Sequence, residues 1–237
     1  MTAARGKAVG VTAAELAARY PRLYHMAADG SWPSIRKLGL LSTSRLLDLF
    51  GIRGDERRQI EERRRPKSVP IKHEKYGNAT IRDQKPMSEK RLDVCLEGCN
   101  RRQWMLLLNG RVFFWLELAR LKTLMCAREY EGKYHTVLTI DTRPLVEQYF
   151  DEITLCHLNS GCTSPFAFPR GPHSFKRMPD YPFAERRSCG LKGQVAELAV
   201  LGGVPDIEKF VIEAARARCS NGRLTKTAIL YTRPKNG

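Results

Sequence analysis

The stretch Leu23-Tyr24-His25-Met26, followed by Asp29-Gly30-Ser31-Trp32-Pro33-Ser34-Ile35 and then by Gly39-Leu40-Leu41-Ser42, decides how this chain is read. Leu23 to Met26 is short and apolar enough for a strand, and one histidine stands at its end. Trp32 to Leu38 predicts a short helix with Gly39 as its C-terminal cap. The serine-rich turn Ser42-Thr43-Ser44 then caps a further helix of Leu46, Leu47, Leu49 and Phe50, closed by Gly51. Strand, helix, glycine and hydroxyl turn in this order can build a nucleotide pocket from backbone and one imidazole.

Working outward, Thr12-Ala13-Ala14-Glu15 has capping-box spacing, with Val11 and Leu16 as a hydrophobic staple, and predicts a helix from Ala13 to Arg19. Gly54-Asp55 opens a charged helix expected to run through Arg65 to its stop at Pro66. From Pro66 to Pro86 the chain reads as a polar loop lying over a site. Helices follow at Leu92 to Leu96 and Arg102 to Leu108. Beyond Asn109-Gly110 strands and helices alternate: Val112 to Trp115, Leu118 to Ala127, Thr136 to Ile140, Pro144 to Tyr149. Ile153 to Leu158, Val195 to Val200, Phe210 to Ile212 and Ala228 to Tyr231 complete the strands. The expectation is a single α+β domain over residues 1–237, its helical N-terminal half packed on a mixed sheet, with a basic C-terminal segment at 214–237.

The formal net charge is +16. Such a field attracts polyanions, so nucleic acid is the first expected partner and anionic nucleotides the second. The charge is clustered. Arg63-Arg64-Arg65-Pro66-Lys67 is one run; Arg216, Arg218, Arg223, Lys226, Arg233 and Lys235 follow Glu213 without an acidic residue between them. Seven cysteines are an odd count, and no basic start with an apolar core precedes the first helix. A reducing cytoplasm with no disulfide framework is therefore expected. No apolar run is long enough for a bilayer, so no membrane partner is expected. The spacings Cys95/Cys99 and Cys156-His157/Cys162 do not repeat the paired knuckles of a structural zinc site, and no metal is expected. Neither a Gly-x-Gly-x-x-Gly fingerprint nor a phosphate-loop lysine motif occurs, which argues against a dinucleotide fold or triphosphatase of the usual kinds.

The Tyr24-His25 motif, its helix and Gly39-Leu40 resemble the first signature of the NAD-dependent ADP-ribosyltransferase superfamily. The likeness is greatest to its DNA-modifying DarT toxins and to the RNA 2'-phosphotransferases. The chain also resembles a family of uncharacterised bacterial proteins, from about Tyr20 through Phe210. Three later segments fit the superfamily pattern in order: Gln59 to Arg65 looks like the arginine-bearing helix, Val112-Phe113-Phe114-Trp115 like the aromatic central strand, and Val195 to Val200 like the strand carrying the catalytic glutamate. Two departures stand out. Phenylalanine and tryptophan occupy the place of the usual second-motif tyrosine, and Val195, two before Glu197, replaces the Gln or Glu of protein-modifying members.

The resemblance implies an enzyme that transfers ADP-ribose from NAD, used as substrate, to nucleic acid, with DNA ahead of RNA. It also implies a toxin or defence role and an antitoxin protein as partner. Glu197 would stabilise the oxocarbenium-like centre, and Glu185, beside aromatics in Asp180 to Glu185, competes for that role. Arg65 is the second expected catalytic residue. His25, Met26, Ser42, Ser44, Arg64, Phe113, Phe114 and Trp115 would hold NAD. Arg63, Lys67, Arg186, Arg187, Arg216 and Arg218 would hold nucleic acid. Two other classes stay open: a non-catalytic nucleic-acid-binding protein on this scaffold, and an enzyme that modifies a protein or small molecule or simply hydrolyses NAD.

Overall fold

The computed structural model describes residues 10–164, 166–184 and 195–234. Local signals set most of the first elements. Helix α1 (Ala13–Arg19) carries the expected box, with the Glu15 amide donating to Thr12 Oγ1 and the Thr12 amide to the Glu15 carboxylate. Strand β1 (Arg22–Ala28) leads to α2 (Trp32–Leu38), which ends at Gly39. A two-residue strand β2 (Leu40–Leu41) follows, and then α3 (Thr43–Leu49), capped by Ser42 Oγ, which accepts from the Arg45 amide at 3.3 Å.

Two expectations fail next. Helix α4 (Gly54–Glu61) stops before the arginine run instead of reaching Arg65. The Arg65 guanidinium turns back to donate to the Ile60 carbonyl, satisfying a helix-end acceptor from outside the helix. The expected loop from Pro66 to Pro86 contains a hairpin, β3 (Val69–His73) and β4 (Gly77–Ile81). Ile71 and Ile81 turn one face of it onto a small core with Leu47, Phe50 and Ile60. Pro70 is tolerated because the hairpin has no further strand to pair with.

Helices α5 (Glu89–Asp93) and α6 (Arg101–Asn109) precede β5 (Arg111–Trp115), α7 (Leu118–Met125), β6 (Tyr134–Asp141), α8 (Thr142–Gln148), β7 (Ile153–Cys156) and β8 (Lys176–Arg177). The described chain closes with β9 (Glu197–Leu201), β10 (Gly203–Val204), β11 (Val211–Ser220) and β12 (Arg223–Thr232). Eight strands form one sheet in the order β12-β11-β6-β1-β5-β9-β7-β8. The fold is α+β as expected, but every registered pair of this sheet is antiparallel, so the sheet is not mixed. Strands β1 and β5, from the first half of the chain, lie side by side in the middle of the sheet with strands of the second half on both flanks, which ties the halves to one core.

The basic C-terminal segment is a long folded hairpin, not a tail. Its turn at Asn221-Gly222 takes positive φ at both residues, which asparagine and glycine accept most readily. A disulfide joins Cys126, at the end of α7, to Cys219 in β11, against the expectation of no disulfide framework. It closes a sequence separation of 93 residues, and α7 packs against β1, β5 and β11 of the sheet. Cys219→Ser is expected to lower the unfolding free energy by about 3 kcal/mol through the larger entropy of the open unfolded chain. Urea denaturation of the oxidised protein and the variant measures this.

Candidate functional site

The central sheet forks. Strand β1 pairs with β6 over its whole length, to Ala28 opposite His135, but meets β5 in register only at Tyr24 opposite Trp115. Beyond that point β1 and β5 separate, leaving backbone groups of both without a ladder partner. Side chains fill the gap: His25 Nδ1 contacts the Phe113 carbonyl at 2.8 Å, and Arg82 donates to the Met26 carbonyl at 2.9 Å. A cavity of about 300 Å³ opens in this fork. The segment Gly39 to Leu46, the end of β4 and the turn Asn159-Ser160-Gly161 form its other walls.

The Phe113 carbonyl can only accept, so His25 Nδ1 carries the proton and Nε2 is the ring's acceptor. Burial pushes the His25 pKa down to about 4, with a lesser contribution from the Arg82 charge, so the ring is neutral at physiological pH. Neutral imidazole at this place offers an acceptor to a hydroxyl.

Glu197 opens β9 opposite Trp115 and Cys156, and lines the same cavity. Only 3% of it is exposed, and its carboxylate accepts from the Ser160 amide at 3.0 Å. Burial raises its pKa to about 7, while the Ser160 hydrogen bonds and the Arg170 and Arg120 charges oppose the rise. Arg170, itself buried, donates to the carbonyls of Asn159, Ser160 and Cys162 and so fixes the turn that holds the carboxylate. The result is a buried carboxyl group on the edge of ionisation near neutral pH, set in the wall of the cavity.

The basic side of the cavity comes from the end of β4. Arg82 lies over the Tyr130 ring at 5.2 Å, and the Tyr130 hydroxyl donates to Asp83 at 2.6 Å. Burial lowers the Arg82 pKa and raises that of Tyr130. A second cavity, of about 790 Å³, adjoins the first; Pro86, Met87, Trp115, Leu124 and Asn159 line both.

Of the residues expected to hold NAD, His25, Met26, Ser42, Phe113 and Trp115 meet at the first cavity, and Glu197 stands with them. Phe114 does not: it is fully buried in the main core and touches the site only by packing behind His25, at 5.8 Å between rings. Strand alternation sends its side chain away from those of its two neighbours. Ser44 lies in the first turn of α3 and lines neither cavity, and Arg64 lines the second cavity instead of the first.

Arg65 reaches the first cavity but is a tie within the protein. It donates to the carbonyls of Arg82 and Ile60 and to Asn109 Oδ1, and burial lowers its pKa to about 10. These bonds position the β4 end, so Arg65 is better read as a positioning residue than as a catalytic one.

The expected nucleic-acid ligands are scattered. Arg63 and Lys67 are exposed away from both cavities. Arg216 forks onto Asp29 and stacks on Tyr134 at 3.7 Å, and Arg218 lies over the same ring at 5.2 Å. Glu185, Arg186, Arg187 and Lys235 lie outside the described residues.

Sequence reading missed Arg82, Tyr130 and Ser160. Arg82 falls in the segment expected to be a polar loop lying over a site, and Ser160 and Tyr130 fall in no motif. Among the described residues no group of three or more His, Cys, Asp or Glu is placed to hold a metal ion. No described helix is long and apolar enough to cross a membrane. No curated protein matches the chain in sequence. Residues 21–211 match the model of DUF7002, a family of unknown function, and over this share of its length the chain belongs to that family.

Proposed function

We propose that the protein transfers ADP-ribose from NAD to nucleic acid. The observation that carries this reading is the meeting of Glu197 and His25, far apart in sequence, in one recess between β1 and β5 with Phe113 and Trp115 on its walls. In the transfer, the bond from ribose C1' to the nicotinamide nitrogen breaks, and neutral nicotinamide leaves with the electron pair. An oxocarbenium-like centre remains, and ionised Glu197 stabilises it. The acceptor nucleophile then bonds to C1', and its proton passes to a base, for which Glu197 is placed. Aromatic walls at Phe113 and Trp115 suit the planar rings of NAD or of a base. The His25 Nε2 acceptor suits a ribose hydroxyl, and the Arg82 charge favours the anionic dinucleotide.

The test is incubation with NAD labelled on its adenylate part and separate pools of single-stranded DNA, RNA and protein. Label is expected on nucleic acid. Nicotinamide release with label on protein alone would move the acceptor class, and neither release nor label in any pool overturns the reading.

Two outcomes follow from the geometry. His25→Ala removes an acceptor that would otherwise pair with a ligand hydroxyl, and NAD is expected to bind about tenfold more weakly by calorimetry. Turnover is expected to rise with pH through a midpoint near 7, because ionised Glu197 is the active form, while His25 stays neutral throughout that range. A flat profile between about pH 6 and pH 8, with binding unchanged, would remove Glu197 from the chemistry.

A further inference from the structure

The larger cavity beside the NAD recess has a use that the transfer reaction leaves open. Arg64, Lys85, Lys90 and Arg120 line it, against Glu89 and Glu129. Two of these cations hold uncommitted donors: the Nε atoms of Arg64 and Arg120 are buried without a hydrogen-bond partner in the protein. Arg64 spends one terminal nitrogen on the Lys85 carbonyl, at 3.2 Å. Arg120 Nε forms an ion pair with Glu117 at 3.7 Å, beyond hydrogen-bond range, so its N–H still lacks an acceptor. Buried N–H groups without partners are costly, and oxygen-rich anions would supply the acceptors. The wall shared with the first cavity includes Trp115, which is half-buried and lies in register with Glu197.

We propose that this second cavity is the acceptor site and takes a single strand of nucleic acid, its phosphates on Arg64 and Arg120 and one base stacked against Trp115 beside Glu197. The proposal rests on the ADP-ribosyl transfer reading above. It asks for a single strand because a base can reach a recessed wall only when it is out of the duplex stack. It also relocates the nucleic-acid contact: the cations that hold the strand are those around the cavity, not the exposed hairpin arginines.

The experiment uses the full chain and fluorescein-labelled oligonucleotides of about 12 nucleotides, as DNA, as RNA and as a self-complementary duplex, read by anisotropy between roughly 50 and 200 mM salt. Single strands are expected to bind at least about tenfold more tightly than duplex, and the DNA and RNA arms identify the sugar. Arg64→Ala with Arg120→Ala is expected to weaken strand binding at least about tenfold and to flatten the logarithmic salt slope by roughly 1.4, the share of two phosphates. Exposed Lys90→Glu keeps the test alive if the double variant does not fold, and Arg143→Ala, on α8, serves as the unchanged control. Quenching of tryptophan fluorescence by the strand is expected to disappear in Trp115→Phe.

Equal binding of duplex, or strand binding unmoved in these variants, overturns the proposal. So does a loss of NAD binding, measured in parallel by calorimetry, with strand binding intact, since the groove would then belong to the dinucleotide. Cavity-dependent strand binding in a wild-type protein that neither binds NAD nor releases nicotinamide would overturn the transfer reading while upholding the strand site.

Discussion

Glu197→Gln is expected to lower nicotinamide release from NAD by at least about 100-fold, the scale of removing one preorganised electrostatic partner of a transition state. The amide keeps the shape of the side chain and an oxygen for the Ser160 N–H, so the loss falls on charge alone. The same change is expected to stabilise the fold at alkaline pH. Burial holds the native carboxyl pKa near 7, above its ordinary value of 4.5, so between these values the native state binds more protons than the unfolded state. Stability therefore falls as pH rises through this window, and the full cost is present above about pH 7. Glutamine never ionises, and the variant should gain on the order of 3 kcal/mol near pH 8 and nothing below about pH 4.5. A less active but more stable protein would mark Glu197 as a residue kept for chemistry at the expense of the fold. Release within about threefold of wild type would exclude this assignment.

A positioning role for Arg65 leads to a different pattern. Arg65→Met removes three donors from acceptors that are largely buried, and an unfolding free energy lower by about 3 kcal/mol is expected by urea denaturation. Where the variant remains folded, kcat should fall less than NAD binding, because Arg65 acts on the cavity wall and not on the reacting atoms.

Helix starts were legible in the sequence because capping is local. Thr12 and Ser42 each sit where their side chains receive the third amide of a helix, whereas Asn100, which does the same for α6, stood in no expected cap. The β3–β4 hairpin was not legible, because its inward face needs few apolar residues and its outward face is polar, as a loop would be. The extent of β11 and β12 was hidden in the same way by Arg216, Arg218, Arg223 and Lys226, charged residues that a sheet tolerates on its solvent face. In the candidate site, His25 and Glu197 were named through the resemblance, by the order of its motifs along the chain. Arg65 could not be separated from a ligand arginine, since a guanidinium bound to carbonyls and one bound to phosphate look alike in sequence. Ser160 reaches Glu197 through its backbone amide as well as its hydroxyl, and the amide contact leaves no signature in residue type.

The glycine of the opening motif bears the second large effect. Gly39 ends α2 at φ 88° and ψ 169°, a conformation almost confined to glycine, and a Cβ there would stand 2.5 Å from both the Cα and the carbonyl oxygen of Pro205. Both obstacles are backbone, so no side chain can swing aside. Gly203, across the β2–β10 ladder, is pressed in the same way: a Cβ on it would meet the Leu40 carbonyl at 2.4 Å. The two chain segments meet backbone to backbone, and this approach carries Ser42, whose amide donates to the Gly202 carbonyl at 3.1 Å, to the cavity wall. Gly39→Ala is therefore expected to cost about 4 kcal/mol, the sum of a strained backbone and an overpacked contact. Gly51→Ala is the comparison: Gly51 has φ 67° but open space around its added Cβ, so it should cost about 1 kcal/mol from strain alone. Urea denaturation of the two variants separates the terms, and equal losses would show that the contact with Pro205 is not what demands glycine. If Gly39→Ala folds, its NAD binding should weaken along with its stability, whereas that of Gly51→Ala should not. Within the motif, the glycine then sets the spacing of the wall and the histidine faces the cavity.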